Sequence, residues 1–186
     1  GLIPGAGGTQ RVPRLAGMAI ALELAVSGKP ISAERAVDAK LADCISPENL
    51  RQTALRFIKQ TRLTKRPVRE MPVPIMDEAA IEKWSGFARK KLAGQTAPHA
   101  VIEAVRASCQ EDFLAGLTRE RELFVDCMSG AQSPAMRQLF FAERLASKLE
   151  VPLQADPLSL RTIGVVGTGT MGVGIAAAML GAGYDV

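Results

Sequence analysis

One segment constrains this 186-residue chain more than any other: TIGVVGTGTMGVGIAAAMLGAGYDV, residues 162–186. An apolar, β-branched run at Ile163–Val166 reads as a short strand and leads into Gly167-Thr168-Gly169-Thr170-Met171-Gly172. An Ala-rich helical pattern, Ile175 to Leu180, follows, and Tyr184–Val186 opens a second strand. A G-x-G-x-x-G between strand and helix is the context a dinucleotide-binding turn requires. Gly167 allows the tight turn, Gly169 removes a Cβ so that a pyrophosphate can approach the backbone, and Gly172 lets the helix sit close to the strand. The free N–H groups and positive dipole end of the helix favour a phosphate there. Gly167, Gly169, Thr170, Met171 and Gly172 are therefore candidate NAD-binding residues. The acidic residue that holds the ribose hydroxyls of NAD is expected about 20 residues past such a turn, so the sequence presents only the first βα of a βαβ unit. The competing reading is a glycine turn that binds nothing.

Composition narrows the alternatives. There are 23 Lys+Arg against 19 Asp+Glu, a net charge of +4, with 47% hydrophobic and 23% charged residues. These are values for a globular chain with a sizeable core, in one domain or two small ones. A surplus of four positive charges, with aromatic residues at only 4%, offers neither the basic footprint nor the stacking platforms of a nucleic-acid binder. Cys44, Cys109 and Cys127 form no C-x-x-C pair and fit a reducing compartment. His99 stands alone, which leaves no His-based triad or zinc cluster, so no metal is expected. No apolar run approaches the roughly 18 residues of a membrane span. The opening GLIPGAGGTQ lacks an initiator Met and a signal peptide, and reads as a piece of a longer polypeptide.

Between the two ends the patterns are helical. Thr9 can cap a helix over Gln10–Ala16 whose length Pro13 limits, and Met18–Val26 follows, closed by Gly28. Ser32 caps Ala33–Lys40, Leu41–Ile45 is a short strand candidate, and a helix covers about 48–63. Residues 62–76, with three prolines, read as an extended surface connection. Three further helices are expected near 77–92, 98–110 and 112–128, with Asp77 as a cap and Pro98 in a first turn. Ser133-Pro134 signals the start of a helix through Glu150. VPLQADPLSL, residues 151–160, then reads as a linker at a domain boundary.

The glycine-rich turn at residues 1–8 is not a P-loop, because no G-K-[ST] follows it. Its backbone N–H groups can hold a water, an oxyanion or a phosphate, or the turn can simply pack backbone on backbone. Here a resemblance enters. IPGAGGTQRVPRLAG followed by SGKPISAERAVDAKLAD resembles the enoyl-CoA hydratase (crotonase) family, and ELFVDCMSGAQSPAMRQLFFAERLASK with TIGVVGTGTMGVGIA resembles the bifunctional enzymes of fatty-acid β-oxidation, peroxisomal-type and bacterial.

That resemblance implies an α/β chain made of the mainly helical C-terminal part of a crotonase fold (1–128), a linker helix and linker (129–158) and the start of a Rossmann dehydrogenase domain (159–186). It implies hydration of trans-2-enoyl-CoA to L-3-hydroxyacyl-CoA and NAD-dependent oxidation to 3-ketoacyl-CoA by the parent protein, with Δ3–Δ2 isomerisation in many members. The two catalytic glutamates and the oxyanion-hole donors of the family precede Gly1. The N–H of Gly5 matches the position that helps hold the catalytic water, and Phe124 and Arg144 fall where relatives place groups around CoA. His99 matches no catalytic position. The parent is expected to be monomeric, with acyl-CoA substrates and a thiolase as a candidate partner, in a bacterial cytoplasm or, alternatively, a peroxisome. The rival class is a non-catalytic helical binding module whose glycine turns are structural.

Overall fold

The computed structural model describes residues 1–46, 49–61, 64–146, 148 and 159–186. It divides into two compact units, Gly1–Leu145 and Ala146–Val186.

In the first unit the described residues build a short 3-10 helix (Val68–Glu70) and eight α-helices, the last ending one residue past the unit's boundary: α1 (Gly8–Ala16), α2 (Met18–Ser27), α3 (Ala33–Asp38), α4 (Leu50–Gln60), α5 (Glu78–Lys91), α6 (Ala97–Ala107), α7 (Phe113–Ser129) and α8 (Gln132–Ala146). Local chemistry sets many of the boundaries. The side chains of Ser32, Asn49, Asp77 and Asp112 each accept a hydrogen bond from a first-turn amide of α3, α4, α5 and α7, satisfying a donor the helix cannot. Gly17, at φ 82°, and Gly28, at φ 64°, end α1 and α2 in backbone that an L side chain adopts only with strain.

The core gathers where α2 packs on α1, α5 and α6, and where α6 packs on α1, α5 and α7. Leu22, Ala88, Ala104 and Val105 are fully buried there, with Met18, Ala21 and Val101 beside them. The non-directional gain from burying such side chains, about 25 cal/mol per Å² of apolar surface, is what holds short helices in place, since helices this short are marginal alone. α4 buries no side chain, and α8 buries only Ser133. No described helix is long and apolar enough to cross a membrane.

Several expectations are corrected. Thr9 does not cap α1: Gly7 takes that position, and Thr9 lies inside the helix. The helix expected over 48–63 begins at Leu50 behind Asn49, and Pro47, Glu48, Arg62 and Leu63 lie outside the described residues. Ser133 is not the cap of α8, which already starts at Gln132, and its buried hydroxyl has no hydrogen-bond partner among the described residues. Leu41–Ile45 forms no strand. The chain from Leu41 is instead drawn into the α3 terminus by bonds from the Leu41 and Ala42 amides to the Ala36 carbonyl. The linker expected at 151–160 lies largely outside the described residues.

In the second unit the described residues contain α9 (Thr170–Gly181) and one parallel β-bridge, Thr162 with Asp185. The bridge rests on two bonds, Ile163 N–H to the Asp185 carbonyl at 2.7 Å and Asp185 N–H to the Arg161 carbonyl at 2.9 Å. The strand expected at Ile163–Val166 does not form: a strand needs a ladder of paired residues, and the described residues supply one rung, at Thr162, just before it. Among the described residues there is no sheet.

Candidate functional site

The first corner is the loop leading into α1. Ile3 is buried and anchors it, while Gly5 is exposed, and among the described residues the Gly5 N–H donates to no protein acceptor. That leaves a backbone donor free for water. Gly5 must be glycine for steric reasons: a Cβ there would lie 2.6 Å from Cδ2 of Phe124. Gly7 follows at φ 87°, a conformation that favours glycine. Its N–H donates to Glu120 Oε1 at 2.6 Å, and Thr9 donates to Glu120 Oε2 from its N–H (3.0 Å) and its hydroxyl (2.5 Å). Gln10 Nε2 donates to Thr9 Oγ1 at 3.0 Å and to the Ala104 carbonyl at 2.8 Å, tying the same corner to α6.

The structure therefore brings two of the sequence candidates together: Phe124 and Gly5 are in contact. Phe124 is half-buried against the core, and the Arg121 guanidinium sits 5.8 Å from its ring centroid. Arg144 is carried by a different helix. It is exposed on α8 and stacks over Phe140 at 4.1 Å.

Sequence reading missed Glu120, Thr9 and Gln10 as a network. One signal was present. Gly116, Glu120, Leu123 and Cys127 recur at helical spacing and form the buried face of α7, so a lone carboxylate sits in an otherwise small or apolar stripe. Such a group is expected to be bonded.

The second corner is the turn into α9. Gly167 stands at φ 105°, which requires glycine. A Cβ on Gly172 would run into the Gly167 carbonyl oxygen, so this glycine is fixed by close packing of turn on helix. Gly169 is different. It is the N-cap of α9 at φ −68°, a backbone any residue adopts, and among the described residues a Cβ there meets nothing within 4 Å. No side chain caps the helix, so the first-turn amides, Thr170, Met171 and Gly172, are donors at the positive end of a helix dipole. Met171 is 77% exposed. A shallow cleft of about 410 Å³ runs beside the turn, bounded by Val165, Gly167, Gly172, Ala176 and Leu180. Among the described residues no three His, Cys, Asp or Glu side chains are grouped to hold a metal ion.

No protein-family model matches the chain. Individual relatives do. The peroxisomal bifunctional enzyme of Cavia porcellus is 35% identical over 202 residues, covering 100% of this chain and 27% of its own length. That of Danio rerio is 34% identical over 196 residues, with the same two shares. That of Homo sapiens is 35% identical over 192 residues, covering 94% of this chain and 26% of the human protein. Along its whole length, then, this chain is related in sequence to the peroxisomal bifunctional enzymes, and it spans 27% of the length of the Cavia porcellus and Danio rerio members.

Proposed function

We propose that the chain supplies two backbone corners to a bifunctional β-oxidation enzyme: Gly5 to an enoyl-CoA hydratase site and Gly167–Gly172 to the NAD site of a 3-hydroxyacyl-CoA dehydrogenase. The observation that carries this is the asymmetry of the three glycines at the second corner. Gly167 and Gly172 are required by the fold itself, whereas nothing among the described residues requires Gly169. A glycine the fold does not need, at an uncapped helix N-terminus, leaves room for a ligand phosphate against the backbone.

In this reading Gly169, Thr170, Met171 and Gly172 hold the pyrophosphate of NAD, which supplies hydride acceptance when bound. The chain's own part is to bind and orient that group. The Gly5 N–H holds the catalytic water of hydration, while Phe124 and Arg144 face the CoA moiety of an acyl-CoA. Residues 1–128 form the C-terminal part of a crotonase domain, 129–158 a linker helix and linker, and 159–186 the opening of a Rossmann domain, with Thr162 and Asp185 as the first rung of its parallel sheet. The relatives' names favour a peroxisome over a bacterial cytoplasm as the compartment. Whole-protein monomer status and a thiolase partner are further parts of the proposal.

One specific observation favours the second reading, a helical binding module with structural glycines. Gly5, Gly116 and Gly172 each have a steric neighbour among the described residues that excludes a Cβ, and Gly7 stands at φ 87°. A titration separates the two. With NAD⁺ added to the ¹⁵N-labelled chain, the amide signals of Gly169–Gly172 should move while those of α5 and α6 stay fixed. No movement at millimolar nucleotide would leave the module reading standing. In this reading the two catalytic glutamates are not among residues 1–186, which by themselves should not hydrate crotonyl-CoA. Loss of the conjugated-thioester absorbance well above the uncatalysed rate would contradict this.

A further inference from the structure

We propose that Glu120 is a positioning residue for the Gly5 amide, acting through the loop Gly5–Thr9. Its side chain is 1% exposed, and both its oxygens are engaged by donors 111 and 113 residues away in sequence. Three donors converge on it: Gly7 N–H, Thr9 N–H and Thr9 Oγ1. Charge-assisted bonds of this kind are stronger and more directional than neutral ones. The carboxylate also lies at the positive end of α1, where a negative charge is favoured. Gly7, the N-cap, has no side chain to do this work.

A local Ser or Asp cap would satisfy the same amides more cheaply than a carboxylate carried out of water from another helix. What the distant carboxylate adds is registry. α7 grips the loop at two points one helical turn apart: Glu120 binds Gly7 and Thr9, and the Phe124 ring packs against Gly5. Gly5 is thereby held between a ring on one side and a fixed residue two positions later, which restricts how its N–H can turn. Gln10, bonded to Thr9 and to the Ala104 carbonyl, ties the same corner to α6. The functional half of this assignment rests on the reading of the Gly5 N–H as a water-holding donor.

The test is amide hydrogen exchange on the full ¹⁵N-labelled chain. Glu120→Ala should speed exchange at Gly7 and Thr9 by roughly 10- to 100-fold and should broaden or shift the Gly5 signal. Glu120→Gln, which keeps one acceptor oxygen, should restore part of that protection. Ile81→Ala, in the buried core on α5, controls for a merely structural role: it should lower the melting temperature while leaving exchange at Gly7 and Thr9 unchanged relative to the rest of the chain. Unchanged Gly5, Gly7 and Thr9 signals in Glu120→Ala would overturn the proposal. So would an Ile81→Ala spectrum that reproduces the loop changes. Adding crotonyl-CoA to the wild-type chain tests the other reading separately. A silent Gly5 signal, with the loop still freed by Glu120→Ala, would contradict the water-holding role and support the lock.

Discussion

Gly116→Ala should destabilise the first unit by about 2–4 kcal/mol, although alanine is the better helix former. Gly116 lies within α7, where exchange for alanine normally gains about 1 kcal/mol. Here a Cβ would overlap Oε1 of Gln10 and come within 2.8 Å of its Cδ. Gln10 is fully buried and cannot swing into solvent. Overpacking costs about 1–3 kcal/mol. Displacing Gln10 also strands the Ala104 carbonyl and the Thr9 hydroxyl contact, at about 1–3 kcal/mol for buried groups left unpaired. The losses exceed the gain in helix propensity. Urea unfolding followed by circular dichroism reads the difference, and a midpoint equal to or above wild type would show that the α1–α7 contact is not packed as described.

Leu22→Ala should cost more, about 3–5 kcal/mol. Leu22 is fully buried on α2, the helix that meets α1, α5 and α6, so little can collapse into the space left behind. Against a typical domain stability of about 5–15 kcal/mol, that is enough to leave the variant partly unfolded at modest denaturant. Loss of the Trp84 fluorescence transition at much lower urea is the expected signal. A cost below about 1 kcal/mol would mean that α2 is not the centre of the core.

The helical part of the fold was legible because its signals are local. Ser32 and Asp77 act within three residues of the amides they cap, and the apolar spacing of α5, α6 and α7 repeats every three or four residues. Strands were over-read for the converse reason. The apolar runs 41–45 and 163–166 carry strand propensity, but a strand exists only with a partner, which no local pattern supplies. At the glycine corners, residue type was legible and cause was not. Gly5 looked like a ligand-facing residue, yet its nearest constraint is the ring of Phe124. Gly167 and Gly172 match the roles read from the motif, one by its φ of 105° and the other by contact with a carbonyl. Glu120 escaped notice because its partners lie more than 100 residues away, although its place on the buried stripe of α7 marked it as a carboxylate needing donors.

Gly169→Val tests the central claim most directly, because stability and ligand binding should separate. Among the described residues the position has open space, its φ is ordinary, and losing glycine at an N-cap costs α9 only a few tenths to about 1 kcal/mol. The branched side chain would stand where a pyrophosphate must approach the first-turn amides. The account predicts a variant whose α9 amides keep their wild-type exchange while NAD⁺ no longer moves the signals of Thr170, Met171 and Gly172. A variant that responds to NAD⁺ as the wild-type chain does would contradict it.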